Sequence, residues 1–295
     1  MSRRRNRPPI RVRSGRVDFL KINAARQDWR DGYHWVLSLT WPRFALFLLG
    51  GYLVLNTVFA TLYSVGGGIA EMTPHNFGEA FFFSIETLAT VGYGHMYPAT
   101  LYGHVVVTSE IMLGTVWLAV MTGLIFVRFS RPTARILFSN CVTIGNHNAK
   151  PTLSLRVANL RHTTMVEATF RITFSRDEES LEGEYVRRFH ALKVYPEHMI
   201  RFPAAITLRH TVDQHSPLHG ETAESLERSD AFFVAAVISI ETVMAAQVQS
   251  QQDYAYSDIR WGERFVEIYE EQADGNLQVD YGRIHDTEPV PAVRR

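Results

Sequence analysis

One cysteine in 295 residues, Cys141, cannot close an intrachain disulfide, which excludes a disulfide-stapled framework and fits a reducing compartment for the segment around it. The twelve histidines show no ligand spacing such as H-x-x-x-H on one helix, so none is taken as a metal ligand. Past residue 139 no G-x-G-x-x-G opens a helix, which argues against a nucleotide-binding regulatory ring. No internal repeat is present, and no apolar run carries arginines at every third residue, so voltage sensing has no basis. The N-terminus lacks the apolar core and small-residue cleavage site of a signal peptide, and the first long apolar run is expected to direct its own insertion. The most telling absence is of Lys and Arg from Phe44 to Val127, although ten basic residues crowd the stretch from Arg3 to Arg30. The formal charge of zero hides this segregation. It belongs to a membrane protein, because an Arg at mid-bilayer costs about 2.5–3.5 kcal/mol on insertion scales.

Two runs inside that window are long enough to span a bilayer. Phe44–Val65 would extend roughly 33 Å as a helix at ~1.5 Å per residue. Val105–Val127 is similar and is interrupted by Glu110, Gly114 and Gly123. Between them Phe77–Thr90 is apolar but too short to cross, and it predicts a re-entrant helix. The expected bounds are an outer helix over 42–65, a pore helix over 77–89, an inner helix over 103–130, and a membrane domain over 41–138. Trp41-Pro42 makes a suitable start for the outer helix. Ahead of it, Trp29, Tyr33, Val36 and Leu37 recur at helical spacing, predicting a short interfacial helix at the end of a basic tail over 1–40. That tail, with Arg128, Arg131 and Arg135 after the second run, places both ends in the cytoplasm by the positive-inside rule.

The short helix runs into Thr90-Val91-Gly92-Tyr93-Gly94. The two glycines permit positive φ, so successive carbonyls can turn toward one axis instead of pairing in a strand. Such carbonyls replace the water around a dehydrated potassium ion, and one loop supplies only one side of the cage, so several copies are required. The expected K+ contacts are at Thr90, Val91, Gly92 and Tyr93.

Beyond Ser139 the texture changes. Val166, Ala168, Phe170, Ile172 and Phe174 alternate with polar residues, as do Leu153, Leu155 and Val157, and Ala231–Ile240 is an apolar run of strand length. Asp274-Gly275 between Phe265–Glu271 and Leu277–Tyr281 signals a hairpin. These short strands predict a β-sandwich over 139–295.

The chain resembles a prokaryotic inward-rectifier (KirBac-type) potassium channel over nearly its whole length. The likeness is carried by Phe81 through Gly94, by Arg128-Phe129-Ser130-Arg131-Pro132, and by Arg156-Val157-Ala158-Asn159-Leu160-Arg161, Glu182-Gly183-Glu184-Tyr185, His215-Ser216-Pro217-Leu218 and Trp261-Gly262. It implies a membrane α-helical two-span pore domain with re-entrant pore helix and filter, plus a cytoplasmic all-β immunoglobulin-like sandwich, in a homotetramer of a bacterial inner membrane. It implies passive potassium conduction, with no catalytic centre, no cofactor beyond the permeant ion and no nucleic-acid partner.

The resemblance also gives roles to single residues. Glu86, one turn before the filter, is an intramembrane carboxylate that needs a partner. Eukaryotic members pair it with an arginine where this chain has Met96, so hydrogen bonding to filter amides is expected instead. His95 stands where many potassium channels carry an acid. Gly114 matches a hinge glycine, which permits either bending or close helix approach. Leu118, Thr122 and Phe126 recur every four residues on the inner helix, with Phe126 at the expected cytoplasmic gate. Leu118 replaces an acid that attracts blocking polyamines or Mg2+, so weak rectification is expected. Glu182 and Glu241 match acids of the cytoplasmic pathway, and Val243–Gln247 a loop that narrows it. Arg128, Arg131 and Arg135 match residues that meet membrane lipids, phosphoinositides in eukaryotic members, although Thr133 and Ala134 replace basic residues there. Two rivals are a potassium transporter subunit, which would need four pore repeats in one chain, and a membrane-tethered β-sandwich binding module, which would leave the re-entrant helix unexplained.

Overall fold

The computed structural model describes residues 10–14, 17–21 and 32–290. The remainder of the basic tail, with Trp29, lies outside the described residues. Ile10–Ser14 and Val17–Lys21 pair as an antiparallel hairpin, which the tail's composition does not suggest. The chain forms two compact units, one within residues 24–131 and the other from Pro132 onward, with which the hairpin is grouped.

The membrane unit begins with α1, Gly32–Ser38, which buries Val36 and Leu37. Helix α2, Trp41–Gly66, has Pro42 in its first turn, where a missing N–H costs nothing, and ends at Gly67 with φ +62°. Helix α3, Phe77–Leu88, is capped by Asn76, whose side-chain oxygen accepts from the amides of Gly78 (3.0 Å) and Glu79 (3.3 Å). Helix α4 runs unbroken over Leu101–Phe129. Near one end Val36, Phe44 and Leu48 pack with Met121, Leu124 and Ile125. Near the other Phe59, Ala60 and Tyr63 pack with Ala80, Phe83 and Val106. Within this chain α4 buries only Gly103, Val106, Glu110 and Gly114, a single narrow stripe. Leu46, Val54, Val58, Met112, Val116 and Leu118 remain exposed, an apolar surface that only lipid or further copies can cover.

The second unit is a sandwich of two five-stranded sheets. One holds, in order, His198–Phe202, Met165–Glu179, Phe232–Glu241 and Ala246–Ala255, with Tyr185–Leu192 also paired to Met165–Glu179. The other holds Ala205–Thr211, Lys150–Asn159, Val142–His147 and Ile259–Trp261, with Ile136–Phe138 on Lys150–Asn159. Their inner faces share one core in which Leu153, Leu155, Val157, Phe170, Phe174 and Phe233 are fully buried. The expected alternation along 166–174 holds from Ala168 onward. Glu167, at φ +51°, forms a bulge that slips the register, so Met165 enters the core and Val166 stays half-exposed. The Asp274-Gly275 hairpin is present but short, pairing Tyr269–Glu271 with Leu277–Val279, because Phe265 belongs to a separate pair with Thr287.

The Arg156–Arg161 stretch, which carries part of the family likeness, is a staple of the sandwich. Arg156 is buried with its Nε 3.3 Å from Thr207 Oγ1, its Nη2 donating to Val266 O and its guanidinium 5.0 Å from the Phe265 ring centroid. Asn159 Nδ2 donates to Thr163 O (2.8 Å) and Phe202 O (3.2 Å), and its Oδ1 accepts from Arg161 N (2.9 Å). Glu178 gathers Arg176 Nε (2.9 Å), His190 Nε2 (2.9 Å) and Arg188 Nε (3.2 Å), and the Arg176 contact foremost holds its carboxyl below the ordinary glutamate range.

Phe170→Ala should destabilise the sandwich by about 3–5 kcal/mol, read as a drop in the thermal midpoint of the purified protein. A depressed carboxyl pKa stabilises above the unfolded value, ~4.3, and that contribution is lost as pH falls through the folded value. The midpoint should therefore fall below about pH 4.3, and less steeply in Glu178→Gln; an unchanged acid limb in that variant would exclude Glu178 as a contributor.

Candidate ion-conduction site

A carbonyl that faces an ion cannot be tied into a ladder, so the filter backbone has to depart from regular structure. Thr90, Gly92 and Gly94 have φ of +58°, +54° and +85°, every second residue in the left-handed region. Gly92 and Gly94 adopt this freely. Thr90 does not, since a β-branched residue there carries about 1–3 kcal/mol of strain. The loop is held from below by α3: Val91 N–H donates to Glu86 O (2.8 Å) and Thr90 N–H to Thr87 O (3.0 Å), with Gly92 N–H also near Glu86 O (3.4 Å). Carbonyls left open at the end of the short helix thus receive the filter's amides, and the negative end of the helix dipole lies beside the loop. Tyr93 is 75% exposed and Val91 51% exposed in one chain.

Two filter amides, those of Val91 and Gly92, are taken by the Glu86 backbone carbonyl, and the Glu86 side chain is half-buried. Met96 is buried in the cluster of Phe59, Tyr63 and Phe83.

The buried acid of this unit is Glu110, which the sequence shows only as an interruption of an apolar run. Its Oε2 lies 2.5 Å from the Tyr63 hydroxyl on α2, and its Oε1 meets the Ser84 hydroxyl on α3. Ser84 Oγ is also 3.1 Å from Asn56 Oδ1, and Asn56 Nδ2 donates to Tyr52 O (2.8 Å). Tyr63, Asn56, Ser84 and Glu110 are all 0% exposed. A carboxyl at mid-span was the signal that could have found this cluster. One turn farther along both helices, a Cβ added to Gly114 would lie 2.9 Å from Leu88 Cγ. In this structure α4 is continuous across Gly114, which packs closely against Leu88.

Leu118, Thr122 and Phe126 are all exposed on α4 in the single chain, and Thr122 Oγ1 donates to Leu118 O (2.9 Å). His95 is exposed beside the filter. The Arg128 guanidinium lies 4.5 Å from the Trp41 ring and 4.6 Å from Phe44, and Nη2 donates to Leu39 O (2.6 Å), so it ties α4 to the start of α2. Arg131 is exposed with Nη1 3.4 Å from Leu37 O, and Arg135 is exposed.

Glu182 is exposed on the turn that Ser180 Oγ holds by accepting from the amides of Glu182 and Glu184 (3.2 Å each). Glu241 departs from the expected pathway acid. It is 2% exposed, and its carboxylate accepts from the amides of Val243 (3.0 Å) and Met244 (2.9 Å). The Met244 and Val243 amides hold its carboxyl below the usual range, and it shapes the loop whose tip exposes Val243 and Met244.

Residues 47–131 match the family described as ion channel, and residues 136–295 match the inward rectifier potassium channel C-terminal domain. The chain is 36% identical over 282 residues to the inward rectifier potassium channel Kirbac3.1 of Paramagnetospirillum magnetotacticum, covering 95% of this chain and 96% of that protein. It is 28% identical over 315 residues to the Homo sapiens G protein-activated inward rectifier potassium channel 3, covering 98% and 80% respectively. With the Homo sapiens inward rectifier potassium channel 18 it is 27% identical over 320 residues, covering 100% and 74%.

Gly114→Ala should displace Leu88 and destabilise the membrane unit by about 1–3 kcal/mol, whereas Gly123→Ala adds a methyl that meets nothing within 4 Å in this chain. Thermal denaturation of the two purified variants separates them; equal midpoints would refute close packing as the reason for Gly114.

Proposed function

This chain belongs to the inward-rectifier potassium channel family, and from that premise we propose that four copies surround one axis and pass K+ through carbonyl sites formed by Thr90, Val91, Gly92 and Tyr93. The observation that carries the reading is the alternation of positive φ at Thr90, Gly92 and Gly94, a backbone suited to turning successive carbonyls to one side. The exposure of Tyr93, Val91 and most of α4 supports an assembly, since these apolar groups need neighbours inside a bilayer.

In the assembly Leu118 and Thr122 line the inner pore, and four Phe126 rings close it by dewetting. Movement of α4, coupled to the cytoplasmic sandwich, switches conduction. Leu118 offers no charge to a blocking polyamine or Mg2+, so rectification from the membrane pore is weak. Glu182 remains the acid placed to concentrate cations in the cytoplasmic pathway, while Glu241 sets the shape of its loop. Arg131 and Arg135 are the side chains left to meet anionic lipid headgroups, each worth about 1 kcal/mol at an anionic surface. Conduction is passive and needs no cofactor or catalytic centre, and both termini face the cytoplasm of a bacterial inner membrane.

Purified protein in liposomes loaded with KCl should accumulate external rubidium, with block by barium and little uptake when sodium is the tracer. No barium-sensitive uptake by protein shown to be tetrameric would reject the reading.

A further inference from the structure

The hydrogen bonds behind the filter can be counted proton by proton. Asn56 Nδ2 faces the carbonyl of Tyr52 at 2.8 Å, which can only accept, and this leaves Asn56 Oδ1 toward Ser84. Ser84 has one hydroxyl proton and two oxygen neighbours, Asn56 Oδ1 at 3.1 Å and Glu110 Oε1. Asn56 Oδ1 brings no proton, so it takes the one Ser84 has. The Glu110–Ser84 contact must then be made by a proton on Glu110. Tyr63 supplies the remaining one, from its hydroxyl to Glu110 Oε2. With an ionised carboxylate, two protons serve three buried oxygen contacts, so one pair has no proton between it, and a buried polar contact left unsatisfied is costly. The neutral acid satisfies every contact in one direction: Tyr63 to Glu110, Glu110 to Ser84, Ser84 to Asn56, Asn56 to the Tyr52 carbonyl.

We propose that Glu110 is a positioning residue for the filter and that it works as a neutral carboxyl group, accepting from α2 with one oxygen and donating to α3 with the other. Ser84 lies two residues before Glu86, whose carbonyl holds the filter amides. The bond from Glu110 therefore fixes the last turn of α3 in height and rotation, and Leu88 against Gly114 fixes it again one turn on. The inference rests on the channel reading for its functional consequence, while the proton itself does not.

Infrared difference spectra between wild type and Glu110→Gln, at neutral pH in lipid, read the proton directly. A protonated-carboxyl C=O band present in wild type and absent from the variant is expected; its absence from wild type would overturn the neutral state whether or not the protein conducts. Rubidium over sodium uptake reads the positioning. Glutamine keeps one donor and one acceptor, so Glu110→Gln should retain selectivity within about twofold of wild type, whereas Glu110→Ala should lose about tenfold or more. Should the alanine variant fail to assemble, Ser84→Ala, which leaves α3 without its polar tie, takes its place with the same expected loss. Equal loss in Glu110→Gln and Glu110→Ala, or full selectivity in assembled Glu110→Ala or Ser84→Ala, would overturn the proposal. Failure of wild type itself to take up rubidium would overturn the channel reading, leaving the infrared result to decide the protonation of Glu110.

Discussion

A backbone carbonyl held open for a cation has given up its hydrogen bond, and every neighbouring element of the membrane unit follows from making that state tolerable. Unpaired polar backbone within a bilayer is destabilising by several kcal/mol per group unless protein or water covers it. The filter meets this by dividing its peptide groups by direction. The amides of Val91 and Gly92 turn down to the Glu86 carbonyl, which would otherwise be an orphan at a helix end. The carbonyls are thereby released toward the other side. The alternation of φ sign at Thr90, Gly92 and Gly94 is the backbone form of that division, and the strain accepted at Thr90 shows how strongly the surroundings impose it.

Imposing it requires that α3 be immobile, although at twelve residues it is too short to be stable by its own hydrogen bonds. Its stability comes from position. Asn76 closes its start, Phe83 packs on Tyr63, and Ser84 and Leu88 fasten its end to α4 through Glu110 and Gly114. A polar tie and an apolar contact one turn apart restrain different motions. The packed leucine resists approach, while the directional hydrogen bond resists rotation. Neither alone would define the helix to the fraction of an ångström that coordination by carbonyls demands.

What could be read from residues alone divides along the same line between local and non-local causes. The spans were legible because a stretch from Phe44 to Val127 without Lys or Arg fits a bilayer and little else, and the glycines of the filter because positive φ is a property of single residues. Strand alternation was legible from Ala168 onward but not across Glu167, where a bulge shifts the phase, since a bulge is decided by the partner strand. Partners were not legible. Glu86 stood out for its carboxylate, yet its main-chain carbonyl also takes part, accepting from the amides of Val91 and Gly92. Glu110 looked like an interruption, yet it is the acid with three helices around it. Arg128 was read only for its charge beside the membrane, yet its guanidinium lies against the rings of Trp41 and Phe44. Each case turns on which side chain from a distant segment arrives opposite, and spacing along one segment carries no such information.

The same distinction bears on what a family likeness transfers. Arg156 and Asn159 lie in a stretch that identifies the cytoplasmic domain, and both are spent on holding strands and loops together inside the sandwich. Glu241 stands where a pathway acid was expected and instead accepts two amides of its own loop. A buried charge of this kind is costly to leave unpartnered, so residues of this sort keep their chemistry because the fold needs it. Arg131, Arg135 and Glu182, by contrast, are exposed, and replacing such groups leaves the fold intact and alters only what the surface attracts. Shared architecture therefore carries over conduction, which is built from buried and strained backbone, far more securely than it carries over the ligands that open or close the path.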